Sequence, residues 1–283
     1  MLRAILPLTL LLVALVPPAV AGPLPELRVS AIPDENPQEL LRIYQPFAEY
    51  LARELKMPVR FVPVLDYAAT VEALAAEKLE MVWYGGFTSV QAVKRTRGNA
   101  KRLVLRQEDA EFKSVFITRP ATGIMGLGDL RGRTFSFGSV SSTSGHLMPR
   151  FFLLKEGINP DKDFSRIAFS GAHDATVAFV ASGRAEAGVL NASVFDKLAE
   201  KGDAKAVRVL ATTPPYYDYN WTVRGDLDPA LVRKLTAAFL KLDPANPAHK
   251  EIMDLQRASK FIATKPENYK GIEEAARSAG LLK

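Results

Sequence analysis

Thr134-Phe135-Ser136-Phe137-Gly138-Ser139-Val140-Ser141-Ser142-Thr143-Ser144-Gly145-His146 reads as a short strand over residues 134–137, a hydroxyl-rich turn, and the opening of an amphipathic helix over residues 145–156. A further strand at 167–169 completes a βαβ unit. Helix 172–181, strand 187–190, helix 192–200 and strand 207–211 extend the series downstream. Upstream, strand-like runs at 27–32, 59–64, 79–84 and 115–118 alternate with helical stretches at 37–55, 67–76 and 87–95. Alternation of this kind implies an α/β fold with mostly parallel sheets flanked by helices, arranged as two halves. Prolines in Arg119-Pro120 and Thr213-Pro214-Pro215 mark the expected crossovers, because proline interrupts helices and central strands alike. Residues 22–118 with 214–283 are therefore expected to form the first lobe and residues 119–213 the second. Helices at 229–241 and 248–257 return the chain to the first.

Residues 1–21 carry a basic start at Arg3, an apolar run over 4–16 and the small-x-small sequence Ala19-Val20-Ala21. This reads as a secretory signal peptide cleaved after Ala21, since the apolar run is too short to cross a bilayer of about 30 Å as a helix. The chain has no cysteine. Export without disulfides is compatible with size, because a mature chain of about 260 residues can bury a large core. With 37 Lys+Arg against 31 Asp+Glu the net charge is +6. The densest basic stretch, Lys94, Arg95, Arg97, Lys101, Arg102 and Arg106, lacks interleaved aromatics and reads as a solvated face, so no nucleic-acid partner is expected.

Open α/β sheets place ligands at the carboxyl ends of their strands. Five segments stand there: Asp66-Tyr67, Trp83-Tyr84-Gly85-Gly86, residues 138–146, residues 170–174 and residues 216–221. Ser141, Ser142, Thr143 and Ser144 exceed what one helix cap requires, and the unpaired N–H groups of a first helical turn carry partial positive charge. An oxyanion is the ligand such a turn suits. Gly145 lets backbone approach that ligand closely, and the lysine of a P-loop is missing. His173 opens another helix and can donate from its ring. Asp218 would repel a bound anion unless the anion carries a proton to give it.

Taken in order, Asp66-Tyr67-Ala68, Trp83-Tyr84-Gly85, Ser142-Thr143-Ser144-Gly145, Gly171-Ala172-His173 and Asp218 resemble the phosphonate-binding family of periplasmic solute receptors across the mature sequence. The resemblance implies a type II two-lobed periplasmic binding protein. It would be the solute-binding component of an ABC transporter, a monomer working with a membrane permease, with no cofactor, metal or catalytic residue. The same resemblance places Tyr67, Tyr84, Ser142, Thr143, Ser144, Gly145, His173 and Asp218 around a small tetrahedral oxyanion. Residues 33–37, 139–150 and 220–226 also resemble a branch described as selenate-transporter binding proteins. Members that bind aminoalkyl phosphonates carry a glutamate where this chain has Ser193, which disfavours an amine-bearing ligand. Two other readings stay open: an organic ligand stacked among Trp83, Tyr84, Tyr217 and Trp221, and a hydrolase using Ser144, His173 and Asp218.

Overall fold

A computed structural model describes residues 24–282. The expected leader at residues 1–21 lies outside them. Eleven strands are present: β1 Leu27–Ala31, β2 Val59–Phe61, β3 Met81–Tyr84, β4 Lys101–Arg106, β5 Ser114–Thr118, β6 Thr134–Phe137, β7 Arg166–Phe169, β8 Ala187–Asn191, β9 Arg208–Thr212, β10 Asn220–Val223 and β11 Phe261–Ala263. They form a six-stranded sheet in the order β11-β4-β10-β3-β1-β2 and a five-stranded sheet in the order β7-β6-β8-β5-β9. Helices flank both, so the expected α/β fold with two lobes holds.

The sheets are mixed rather than mostly parallel. β1 runs parallel to β2 and β3, and β6 to β7 and β8, each through a same-lobe βαβ connection. β10 is antiparallel to β3 and β4, and β5 to β8 and β9. Both of these strands enter from the other lobe, so the crossover helix that enforces parallel pairing does not precede them. β5 also corrects the expected lobe boundary. It pairs with β8 from Ser114↔Asn191 to Thr118↔Ala187, within the second sheet. The chain therefore crosses within residues 107–113, and Pro120 merely opens the turn that follows the strand. The run Val115-Phe116-Ile117 is buried throughout, and a uniformly apolar strand carries no signal for which sheet it joins. The return crossing falls at residues 213–219, between β9 and β10.

Local chemistry sets the helix starts that face the cleft between the lobes. Asn36 caps helix Pro37–Leu55 by accepting from Glu39 N, with Pro37 in the first helical position. Asp66 caps helix Tyr67–Ala75 by accepting from Ala69 N at 2.7 Å. The first lobe's core gathers Phe47, Trp83, Trp221, Phe239 and Phe261, with Phe47 stacked on Trp221 at 5.0 Å. Phe116, Phe135, Phe137 and Leu153 centre the second. Where the chain crosses, Phe112 N donates to Tyr216 O at 2.8 Å and Tyr216 N donates back to Phe112 O at 3.0 Å. The two crossings are thus tied side by side as a hinge.

Candidate functional site

The lobes meet across a shut cleft. His173 N donates to Asp34 O at 2.8 Å, Phe87 N to Thr143 Oγ1 at 2.9 Å, and Thr88 Oγ1 to Ser141 O at 3.1 Å. The N and Nδ2 groups of Asn36 each reach Asp174 Oδ2 at 3.1 Å. Every one of these joins the first lobe to the second.

On the second-lobe side, Thr143–Leu147 forms a π turn that runs directly into helix Met148–Lys155. Ser142 caps it, its Oγ accepting from Gly145 N at 2.9 Å. Gly145 has no room for a side chain, since a Cβ there would lie 3.2 Å from both Gly138 Cα and His173 Cε1. The turn is thereby packed closely against the end of β6 and against His173 within the second lobe. Ser142, Thr143, Ser144 and Gly145 are all buried.

Asp218 faces this turn from the return crossing. Its Oδ1 accepts from Gly86 N at 2.9 Å, whereas its Oδ2 is buried without a hydrogen-bond partner. Burial pushes its pKa up to about 7, and the Gly86 N–H and the nearby Thr143 and Ser144 hydroxyls pull the other way. Tyr67 supplies the complementary orphan: its hydroxyl is buried with no partner, near the Ser142 hydroxyl but not hydrogen-bonded to it. Burial, reinforced by the charge of Asp34, holds that phenol well above its ordinary pKa and so keeps it a neutral donor. The cleft thus offers a free acceptor, a free donor and a hydroxyl-lined helix start together. Unpartnered buried polar atoms are costly unless something else satisfies them.

Tyr84 does not join this group. Its hydroxyl donates to Thr70 O at 2.8 Å, within its own lobe, so its single proton is already committed. Accordingly, Tyr84→Phe should leave oxyanion affinity within about twofold and lower the unfolding free energy by about 1 kcal/mol, the usual worth of one hydrogen bond, measured by titration and by denaturant unfolding.

His173 is also placed differently from expectation. Its Nδ1 accepts from Asn191 N and its Nε2 faces Tyr219 Oη, each at 3.4 Å. The ring is neutral, because burial and the charge of Arg257 push its pKa down to about 3. It joins an inter-lobe network that sequence reasoning missed: Tyr219 Oη donates to Asp34 Oδ2 at 3.0 Å and accepts from Asn191 Nδ2 at 2.9 Å. Burial, then the neighbouring Glu35 charge, raises Asp34 to about 7. The strand-end rule could have found two of these residues, since Asn191 ends β8 and Asp34 follows β1 closely. Tyr219 lies in the 216–221 segment already singled out, but it immediately precedes β10, and its partners come from elements distant in sequence.

The side chains that the other two readings rely on have other partners. Trp221 packs among Trp83, Tyr44, Phe47 and Phe239, and Trp83 lies stacked on Tyr219 at 5.4 Å, so these rings fill the core. Tyr217 leans on Tyr269 instead. Among the described residues no hydrogen bond joins Ser144 to His173, which a nucleophile and its base require, and no cluster of three or more metal-ligating side chains occurs.

The profile of the family described as ABC transporter, phosphonate, periplasmic substrate-binding protein matches residues 29–269. A probable ABC transporter phosphite binding protein, PhnD1 of Prochlorococcus marinus strain MIT 9301, is 36% identical over 271 residues, 91% of each chain. The crystal structure of PhnD1 from that organism in complex with methylphosphonate superposes with a TM-score of 0.87, covering 91% of this chain and 99% of that one. The phosphate-import protein PhnD of Mycolicibacterium smegmatis is 30% identical over 190 residues, 63% of this chain and 59% of its own length. With the family profile spanning both lobes and their shared cleft, the chain belongs to the phosphonate family of periplasmic substrate-binding proteins of ABC transporters.

Proposed function

We propose that this chain captures a small, proton-bearing phosphorus oxyanion, phosphite or a short alkylphosphonate, and delivers it to the membrane permease of an ABC transporter. The observation that carries this reading is the pair of buried orphans, Asp218 Oδ2 as acceptor and Tyr67 Oη as donor, beside the Ser142–Gly145 turn. A tetrahedral anion accepts from the turn and from Tyr67 and gives its own proton to Asp218. Neutral dipoles, rather than a countercharge, surround the ligand, and its negative charge is tolerated because each oxygen is hydrogen-bonded. Hinge bending at the Phe112–Tyr216 pair opens the cleft for exchange, and closure removes the charge from water. Cleavage of a leader after Ala21 and action in the periplasm belong to the same reading.

Selenate and sulfate fit this site less well, because they carry no proton at neutral pH. An aminoalkyl ligand is disfavoured too. Ser193, at the position where the resemblance expects a glutamate, offers an amine no countercharge. A thermal-shift panel on the mature protein tests the assignment with phosphite, methylphosphonate, phosphate, sulfate, selenate and 2-aminoethylphosphonate, since a ligand that binds only the folded state raises its melting temperature. Phosphite and methylphosphonate should give the largest shifts. A larger shift with sulfate or selenate would overturn it.

A further inference from the structure

We infer that Lys197 latches the two lobes together and sets how long a captured ligand is held, without belonging to the oxyanion site; the ligand arm of this inference rests on the function proposed above. Lys197 projects from helix Ala192–Lys201 of the second lobe. Its Nζ donates to Glu35 Oε2 and, at 2.9 Å, to Glu39 Oε1, both in the first lobe. The Glu35 side chain is only 3% exposed and that of Lys197 14%, so the contact is largely shielded from water and salt. Arg42 pairs with Glu39 at 2.6 Å and Arg257 with Glu35 at 3.3 Å, both from within the first lobe. Lys197 is therefore the second lobe's contribution to a cluster whose other members travel together.

That division decides what the contact does. If the lobes part, Glu35 keeps Arg257 and Glu39 keeps Arg42, while Lys197 leaves with its helix. The acids remain compensated in the open form, so the Lys197 bonds are contacts made in one state and lost in the other. Only such differential contacts shift a conformational equilibrium. Apparent affinity scales with the population of the binding-competent state, and here the added closure energy appears as slower release. The clasp of Asn36 on Asp174 works beside it: Asn36 and Glu35 are adjacent in sequence, so both first-lobe partners sit on one segment ahead of helix Pro37–Leu55.

Lys197→Met preserves the length and apolar stem of the side chain and removes only its charge; Lys197→Arg keeps the charge. In stopped-flow or surface-plasmon measurements with methylphosphonate and phosphite, Lys197→Met should release ligand about tenfold faster, with association changed by less than about threefold. The melting temperature of the free protein should fall only slightly, in step with the closed population lost, and Lys197→Arg should recover slow release. Because the chain has no cysteine, an inter-lobe distance can be read independently from labels at Arg53→Cys and Lys162→Cys. Lys197→Met should move the free protein's distance distribution toward the open form. Unaltered release together with an unaltered distribution would overturn the latch, as would equal losses in Lys197→Met and Lys197→Arg. If the unsubstituted protein binds none of the phosphorus oxyanions, the proposed function fails instead, and the distance measurement still decides the latch.

Discussion

Asp218→Asn should weaken methylphosphonate and phosphite binding by about a hundredfold, ~3 kcal/mol, while improving sulfate and selenate. The Oδ1 contact with Gly86 N survives in asparagine, so the segment keeps its place. What changes is the other atom: an acceptor without a partner becomes an N–H2 donor. A proton-bearing phosphorus oxyanion then meets donor against donor, whereas a fully ionised sulfate or selenate gains a hydrogen bond. Comparable losses for all four anions, measured by calorimetric titration, would mean that Asp218 only supports the fold.

The same carboxyl fixes a pH dependence. Asp218 and its ligand hold one proton between them, wherever that proton started. Phosphite and methylphosphonate bring it; sulfate must draw it from solvent, because in an open, hydrated cleft Asp218 returns toward the ordinary carboxylate range of about 4. Affinity for phosphorus oxyanions should therefore fall by about tenfold per pH unit once neither partner is protonated, and sulfate binding should strengthen toward acid pH. For the closed form the sign is also set. A carboxyl raised in the fold to about 7 binds its proton more tightly folded than unfolded. Its contribution is thus most favourable below about pH 4 and is lost as pH rises toward 7. Asp218→Asn should flatten that slope, leaving the similar one from Asp34.

Gly85→Ala should cut affinity by about a hundredfold while leaving the free protein's melting temperature nearly unchanged. Gly85 has an extended conformation that alanine adopts readily, with φ −68° and ψ 161°. Its main difficulty lies across the cleft: a Cβ would meet Thr143 Oγ1 at 2.9 Å, with Asp218 Oδ1 at 3.2 Å on its own side. Thr143 Oγ1 cannot turn aside freely, because it accepts from Phe87 N. The methyl group therefore opposes closure, and relief comes from a cleft held slightly open. A fall in affinity matched by an equal fall in unliganded stability would place the clash within one lobe instead.

The proposed site is legible in the sequence where its chemistry is local. Ser142, Thr143, Ser144 and Gly145 follow one another at a strand-to-helix passage, and a helix start exposes its N–H groups whatever packs around it. Asp218 could be named, but whether it faced the ligand depended on Gly86 and on the crossing strand behind it. Tyr84 and His173 illustrate the limit. Both stand at the positions a strand-end rule selects, yet one hydroxyl turns to Thr70 and one ring bridges Asn191 and Tyr219, choices made by tertiary neighbours. Sheet membership behaved in the same way. β5 is a clear strand in the sequence, but its pairing with β8 is fixed by residues more than seventy positions away, from Ser114 to Asn191.

The strand order of the first sheet also dictates a folding order. β10 lies between β3 and β4, so the half of that sheet made by β4 and β11 has no bond to the half made by β1, β2 and β3 until Asn220–Val223 is in place. The second lobe, by contrast, is drawn from one uninterrupted stretch of chain, from β5 to β9. As the chain lengthens, the second lobe can complete its sheet while the first still waits for its central strand. A polypeptide built this way postpones its larger sheet until most of its length is available.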